Sequence, residues 1–299
     1  MTNTSVCRMQ NAERRNQRIQ DARPDRCVRV LAGATRLFFA ALLLATPSLA
    51  QDYDPIQPLR LGSDLINLPT PRTLPTGTWE VRFTHRFSEP INDGDEHSLW
   101  GLDSSADIGI GLAYAPTANL QFGVFRTDVL DNIEASFKYA LVREAPSFPL
   151  SVSFRGGVDW HTEEGTDDST GGFAQAILSR RVGPGAEVFA VPTWASDAGS
   201  FDHAFNVPVG LAWTFRPGLS LMIEVIPENR DLPDEIGSDL GWAIGLKKAV
   251  GGHYFDVVLA SSRATHVDQY VGSEFLPGVG VDSGDIHLGF NIVRRFGGR

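Results

Sequence analysis

Between Ala204 and Ile226 apolar residues recur at every second position. Phe205, Val207, Val209, Leu211, Trp213 and Phe215 lie on one side of the pattern, and Asn206, Pro208, Gly210, Ala212, Thr214 and Arg216 fill the gaps. After Arg216-Pro217-Gly218 the alternation resumes with Leu219, Leu221, Ile223 and Val225 opposite Ser220 and Glu224. Successive side chains of a strand point to opposite faces, so this stretch predicts a hairpin with one apolar face and one mixed face.

The same pattern recurs from Gly77 to the C-terminus. Thr78–Phe87 sets Trp79, Val81, Phe83 and Phe87 against Glu80, Arg82, Thr84 and Arg86. Ala106–Ala115 follows a long polar loop, and Pro116 to Asn119 turn into Leu120–Phe125. Ile133–Val142 carries Tyr139 opposite Glu134 and Lys138, and the next strand opposes Trp160 to Arg155 and Asp159. Gly172–Arg181 and Ala186–Ala195 are poorly phased, and Pro192 interrupts the second. Past the opening hairpin, Trp242 and Leu246 oppose Lys247, Phe255 and Val257 oppose Asp256, and Ile286 to Phe296 alternate with Asp285, His287, Asn291 and Arg295. The sum is about twelve strands.

Connection lengths alternate between long and short. Loops near 88–105, 126–131, 161–171, 196–203, 227–238 and 262–283 fall on one rim and five tight turns on the other. An even strand count with long loops at one rim is the pattern of an outer-membrane barrel. The expected fold is therefore all-β, a single antiparallel up-and-down transmembrane β-barrel. A soluble barrel with its apolar face inward has the same alternation. Aromatics near strand ends (Trp79, Tyr114, Trp160, Trp213, Trp242) favour lipid, because such residues form girdles at the membrane interfaces.

The first fifty residues read differently. Arg29 and Arg36 precede the apolar run Leu37–Ala45, and Ser48-Leu49-Ala50 fits a signal-peptidase site, with Gln51 as the mature N-terminus. The run is shorter than the roughly 20 residues that span a bilayer. The segment before Arg29 is long for a signal, so a translation start near Val28 or Val30 is expected. Residues 51–76, with Pro55, Pro58, Pro69, Pro71 and Pro75, cannot supply a ladder of N–H donors. They are expected as an extended lead-in tucked under or into a barrel of residues 77–299.

Residues 1–50 hold eight of the 26 basic residues and three of the 36 acidic ones, which leaves the remainder at a formal charge of −15. That balance argues against nucleic acid as a partner. Both cysteines, Cys7 and Cys27, also fall there, so the exported part has no thiol chemistry.

Several segments resemble a bacterial family of envelope β-barrels, domain-of-unknown-function family 5777. They are Leu65-Ile66-Asn67-Leu68-Pro69-Thr70, His85-Arg86-Phe87, Gly101-Leu102-Asp103, the Leu112-to-Phe125 hairpin, Lys138-Tyr139 and Gly251-Gly252-His253. Arg126-Thr127 stands where the pattern has Arg-Ser. The resemblance implies an exported β-barrel and brings no catalytic residues with it.

Candidate chemistry is sparse. No histidine has Ser at plus two, as a barrel phospholipase would need. Acids beside His161 (Glu163, Glu164, Asp167, Asp168) are the nearest protease-like group and read as a solvated loop. No calcium-loop spacing occurs, so no metal site and no cofactor are expected. The mixed face predicts lumen-lining residues Glu80, Arg82, Arg86, Asp107, Glu134, Lys138, Arg155, Asp159, Arg216, Glu224, Lys247, Asp256, Asp285 and Arg295. Cross-strand ion pairing is expected among them. The apolar face predicts lipid contacts by Trp79, Phe83, Leu112, Tyr139, Trp213, Leu221, Trp242 and Phe290. The leading expectation is a non-enzymatic outer-membrane barrel that passes or binds a small polar solute. The alternatives are a non-transporting barrel whose acidic loops bind a partner, lipid or divalent cation, and an embedded hydrolase.

Overall fold

The computed structural model describes residues 61–162, 169–183, 185–198, 201–228, 239–271 and 283–298. The signal segment, residues 51–60, the acids Glu163, Glu164, Asp167 and Asp168, and loop 229–238 lie outside the described residues.

Twelve antiparallel strands close into a barrel. In chain order the elements are β1 (Thr78–Phe87), β2 (Ala106–Tyr114), β3 (Leu120–Thr127), β4 (Ile133–Val142), β5 (Ser151–His161), β6 (Ser169–Gly183), β7 (Ala186–Ala190), β8 (Thr193–Ala198), β9 (Phe201–Asn206), β10 (Val209–Arg216), β11 (Leu219–Ile226), β12 (Gly241–Val250), β13 (His253–Ala260), a short helix α1 (Val267–Val271) and β14 (His287–Gly297). β1 pairs with β14 as well as β2, and β5 pairs with β6, so the sheet has no free seam between its first and last strands.

Two barrel strands are broken. The stretch expected as one strand over Ala186–Ala195 is β7 and β8 separated at Val191-Pro192, and the opening hairpin's first strand is β9 and β10 separated at Val207-Pro208. Proline has no N–H to give the ladder. The breaks stay stitched, because Ala176 N donates to Pro192 O at 2.9 Å and Val191 N to Pro208 O at 2.8 Å. Above them β8 and β9 form a hairpin on the upper part of β6.

The outward face is apolar. Ile110, Val257 and Leu141 are each 58–60% exposed, and a band of such residues is what lipid would cover. Trp79, Leu112, Tyr139 and Trp213 are exposed outward, and Phe83, Leu221, Trp242 and Phe290 are half-buried at outward positions. Trp79 and Tyr114, rings 4.5 Å apart, stand near the short-turn rim with Trp213, while Trp160 and Trp242 stand near the long-loop rim.

The interior is not uniformly polar. Phe173, Ile177, Phe189, Met222 and Val258 point inward and form one buried cluster with Leu65, Ile66 and Leu68 of the lead-in. On β6 Phe173 and Ile177 occupy inward positions while Gly172, Ala174 and Ala176 lie outward, which explains the poor phase of that strand.

Candidate functional site

The lead-in occupies the lumen. Residues 63–70 fold into a tight hairpin closed by Leu65 N to Leu68 O (2.8 Å) and Thr70 N to Ser63 O (2.9 Å). Its tip presents three successive amides, Ile66, Asn67 and Leu68, to the carboxylate of Glu224 at 2.8–3.1 Å. Converging N–H groups of this kind form an anion-binding concavity. Here the anion is a fully buried wall residue.

Cations hold the hairpin's carbonyls. Lys247 Nζ donates to the carbonyls of Leu61, Asp64 and Leu65 at 2.8–3.0 Å, and Lys138 Nζ to those of Ser63 and Thr70 at 3.0 and 3.3 Å. Arg82 donates to Ile66 O at 2.9 Å, and Arg86 to the Asn67 side chain at 3.1 Å. Ser153 Oγ donates to Pro71 O at 2.6 Å. A buried backbone away from a sheet needs such partners, so the wall charges do for the lead-in what a ladder does elsewhere. At Asp64, burial alone would raise the pKa, but Arg82, Lys138, Arg155 and Lys247 outweigh it and hold the carboxyl below its usual range.

Close approach needs missing side chains. A Cβ at Gly210 would stand 2.6 Å from Leu65 Cδ1, and one at Gly245 would stand 3.0 Å from Ile66 and Met222. These inward glycines make room for the hairpin, not for water.

The predicted lumen residues divide accordingly. Glu80 (with Ser63 and Arg295), Arg82, Arg86, Lys138, Glu224 and Lys247 grip or flank the lead-in. Arg155 pairs with Glu134, and Lys247 stands 3.6 Å from Asp256, which also accepts from Asn291 at 3.2 Å. Asp107 and Asp159 point inward and are buried. Two residues depart from expectation. Arg216 is exposed at the short-turn rim, where a register shift after Thr214 ends the strand's alternation. Asp285 precedes β14 in a rim loop and is not on a strand. The expected pairing between neighbouring strands occurs for Glu134–Arg155, Glu80–Arg295 and Lys247–Asp256, while Arg82, Arg86, Lys138, Glu224 and Lys247 also reach the lead-in.

A second segment enters from the long-loop rim. Residues 264–271, including α1, are buried throughout. Tyr270 OH accepts from Gln175 Nε2 at 2.9 Å, and the Asn206 side chain donates to Val271 O at 3.3 Å. Burial raises the Tyr270 phenol against the opposing pull of Arg155, so it stays protonated. Between this cap and the lead-in lies a polar cavity of about 80 Å³, lined by Asp64, Glu80, Arg82, Glu134, Lys138 and Arg155 among others. One water needs about 10–15 Å³ measured this way, so the chamber has room for several waters or one small solute.

The rim holds a grouping that sequence spacing did not reveal. His161 Nδ1 lies 2.9 Å from Ser169 Oγ, and His161 Nε2 lies 2.7 Å from Asp268 Oδ2. His161 and Ser169 are register partners across β5 and β6, and Asp268 arrives from α1. The serine stands not at plus two but eight residues away on the facing strand, and the pairing of the two strands is the signal that could have shown it.

Residues 61–296 match the family described as membrane bound beta barrel domain, DUF5777. No curated protein matches the chain. Among solved structures, an outer membrane channel from Pseudomonas putida F1 is 17% identical over 75% of this chain and 97% of its own, with a TM-score of 0.45. The NanC porin is 6% identical over 74% and 100%, TM-score 0.43. Outer membrane phospholipase A from Escherichia coli is 11% identical over 74% and 93%, TM-score 0.41.

Proposed function

This chain belongs to the DUF5777 family of membrane-bound beta barrel domains, and from that premise and the contents of its lumen we propose an outer-membrane barrel that binds a small polar solute. The solute occupies the chamber between lead-in and cap and passes only when these move. The N-terminal fifty residues serve as the export signal, and lipid covers the apolar exterior. The observation that supports this reading is the chamber itself. It sets guanidinium, ammonium and carboxylate groups of Arg82, Lys138, Arg155, Glu80 and Glu134 around one small space. Such a lining discriminates solutes by size and by the placement of their charges.

Planar-bilayer recording tests it. The native barrel is expected to stay closed most of the time, and the Glu224→Ala variant to open more often. A steady open-pore current from the native protein, or identical traces from both, overturns the reading.

A second reading rests on the rim grouping. Ser169, His161 and Asp268 carry the hydroxyl, imidazole and carboxylate of a nucleophilic triad at hydrogen-bond distances. A fluorophosphonate probe would label Ser169 in the native barrel and not after His161→Ala. An unlabelled native protein would remove this reading.

A further inference from the structure

Glu134 on β4 and Asp159 on β5 are register partners, both turned inward and both nearly inaccessible, at 2% and 1% exposed. Like charges directly opposite each other on a sheet repel, and the repulsion grows as water is excluded. Arg155 answers one of them, through Glu134 Oε1. Asp159 Oδ1 has no hydrogen-bond partner among the described residues.

Facing this pair from the cap is His266, which is 0% exposed. Neither of its ring nitrogens makes a hydrogen bond among the described residues. Nδ1 lies 3.5 Å from Asp159 Oδ1, too far for a good one. Phe125 stacks on the ring at 4.8 Å between centroids. Close by on the same cap, Asp268 Oδ1 is also buried and unpartnered, while Asp268 Oδ2 takes Asn132 and His161. The unmet groups facing each other therefore include the Asp159 carboxylate oxygen, which can only accept, and the His266 imidazole, which accepts through one nitrogen when neutral. One cation can satisfy both.

We propose that Glu134, Asp159 and His266 form a binding site for one divalent transition-metal cation, which staples the cap to the barrel wall. One donor atom from each of the three lies within 4.8 Å of the others. Four-coordinate zinc holds its donors about 3.3 Å apart, a spacing that small side-chain rotations reach. The donor set selects the class of ion. Imidazole with two carboxylates suits zinc-like borderline cations, whereas calcium and magnesium prefer oxygen alone. Glu134 also lines the chamber, so a water from there can complete the coordination. Glu134 is shared with the solute chamber, but metal uptake is read without solute or current, so failure of this proposal and failure of the solute reading are distinguishable.

The test uses the full-length, untagged barrel, extracted in detergent and stripped with a chelator, with Zn²⁺ as the probe. Saturable uptake of one Zn²⁺ per chain is expected by calorimetry and elemental analysis. Asp159→Asn and His266→Gln should each weaken it at least tenfold, while His97→Gln, in an exposed loop, should not. Heat-shifted gel migration verifies that each variant is folded. Co²⁺ in the native protein gives a second readout that needs no variant, the intense visible bands of a four-coordinate site. Absent uptake, uptake unchanged in folded His266→Gln, or Co²⁺ with only the weak spectrum of the hydrated ion would each overturn the proposal.

Discussion

Glu224 shows how much one side chain can decide. It sits on an ordinary strand, and its alternation says only that it points inward. What it binds is a run of amides 156–158 residues away in sequence. A buried amide left without a partner costs about 1–3 kcal/mol, so Glu224→Ala, which strands three, should weaken docking of the lead-in by about 3 kcal/mol or more. That corresponds to a roughly hundredfold rise in its undocked fraction, readable as more frequent openings in a bilayer. Asp64 adds a pH dependence of known sign. Its carboxyl is held below its ordinary value by surrounding cations, so its contribution is complete above the unfolded value of 3.8 and is lost as pH falls through the lower folded one. Openings should therefore increase on acidification below about pH 4, and by less in Asp64→Asn.

Among the elements, the strands were legible, and so was a lead-in placed under or into the barrel, but not the hairpin it forms or the wall residues that hold it. Period-two alternation identifies a strand because burial on one face and lipid on the other leave different residues at odd and even positions. It fails on β6 and β7, where Phe173, Ile177 and Phe189 face inward against Leu65, Ile66 and Leu68. There the inner surface is apolar because what fills it is apolar. The same cause hides the role of Gly210 and Gly245, whose missing side chains make room for Leu65 and Ile66. The motif Leu65-Ile66-Asn67-Leu68-Pro69-Thr70 was visible as a segment, but its partners come from β1, β4, β11 and β12, and nothing in the motif names them. Gly245→Val tests the fit. Overpacking there should cost about 1–3 kcal/mol and loosen the lead-in while the barrel hydrogen bonds remain. Trypsin should then cut after Arg72 faster than in the native protein, with residues 78–298 left resistant. Equal rates would mean that the added methyls are absorbed elsewhere.

For the whole molecule, the question is whether lead-in and cap are one closure or two. The chamber lies between them, with Asp64 and Asn67 on one side and Thr265, Val267 and Tyr270 on the other. A solute crossing the barrel then meets two barriers in series. If they move independently, the probability that both are open is the product of the separate probabilities. Glu224→Ala loosens only the lead-in. Tyr270→Ala removes a fully buried aromatic from the cap together with its bond from Gln175, a loss of about 3–5 kcal/mol for such a site. Each variant alone should raise open probability only as far as the other closure permits. If the two closures move independently, the double variant should raise it by about the product of the two factors. Bilayer recordings of all four proteins decide the matter. If the double variant opens no more than the better single one, one segment alone closes the path and the chamber is a side pocket.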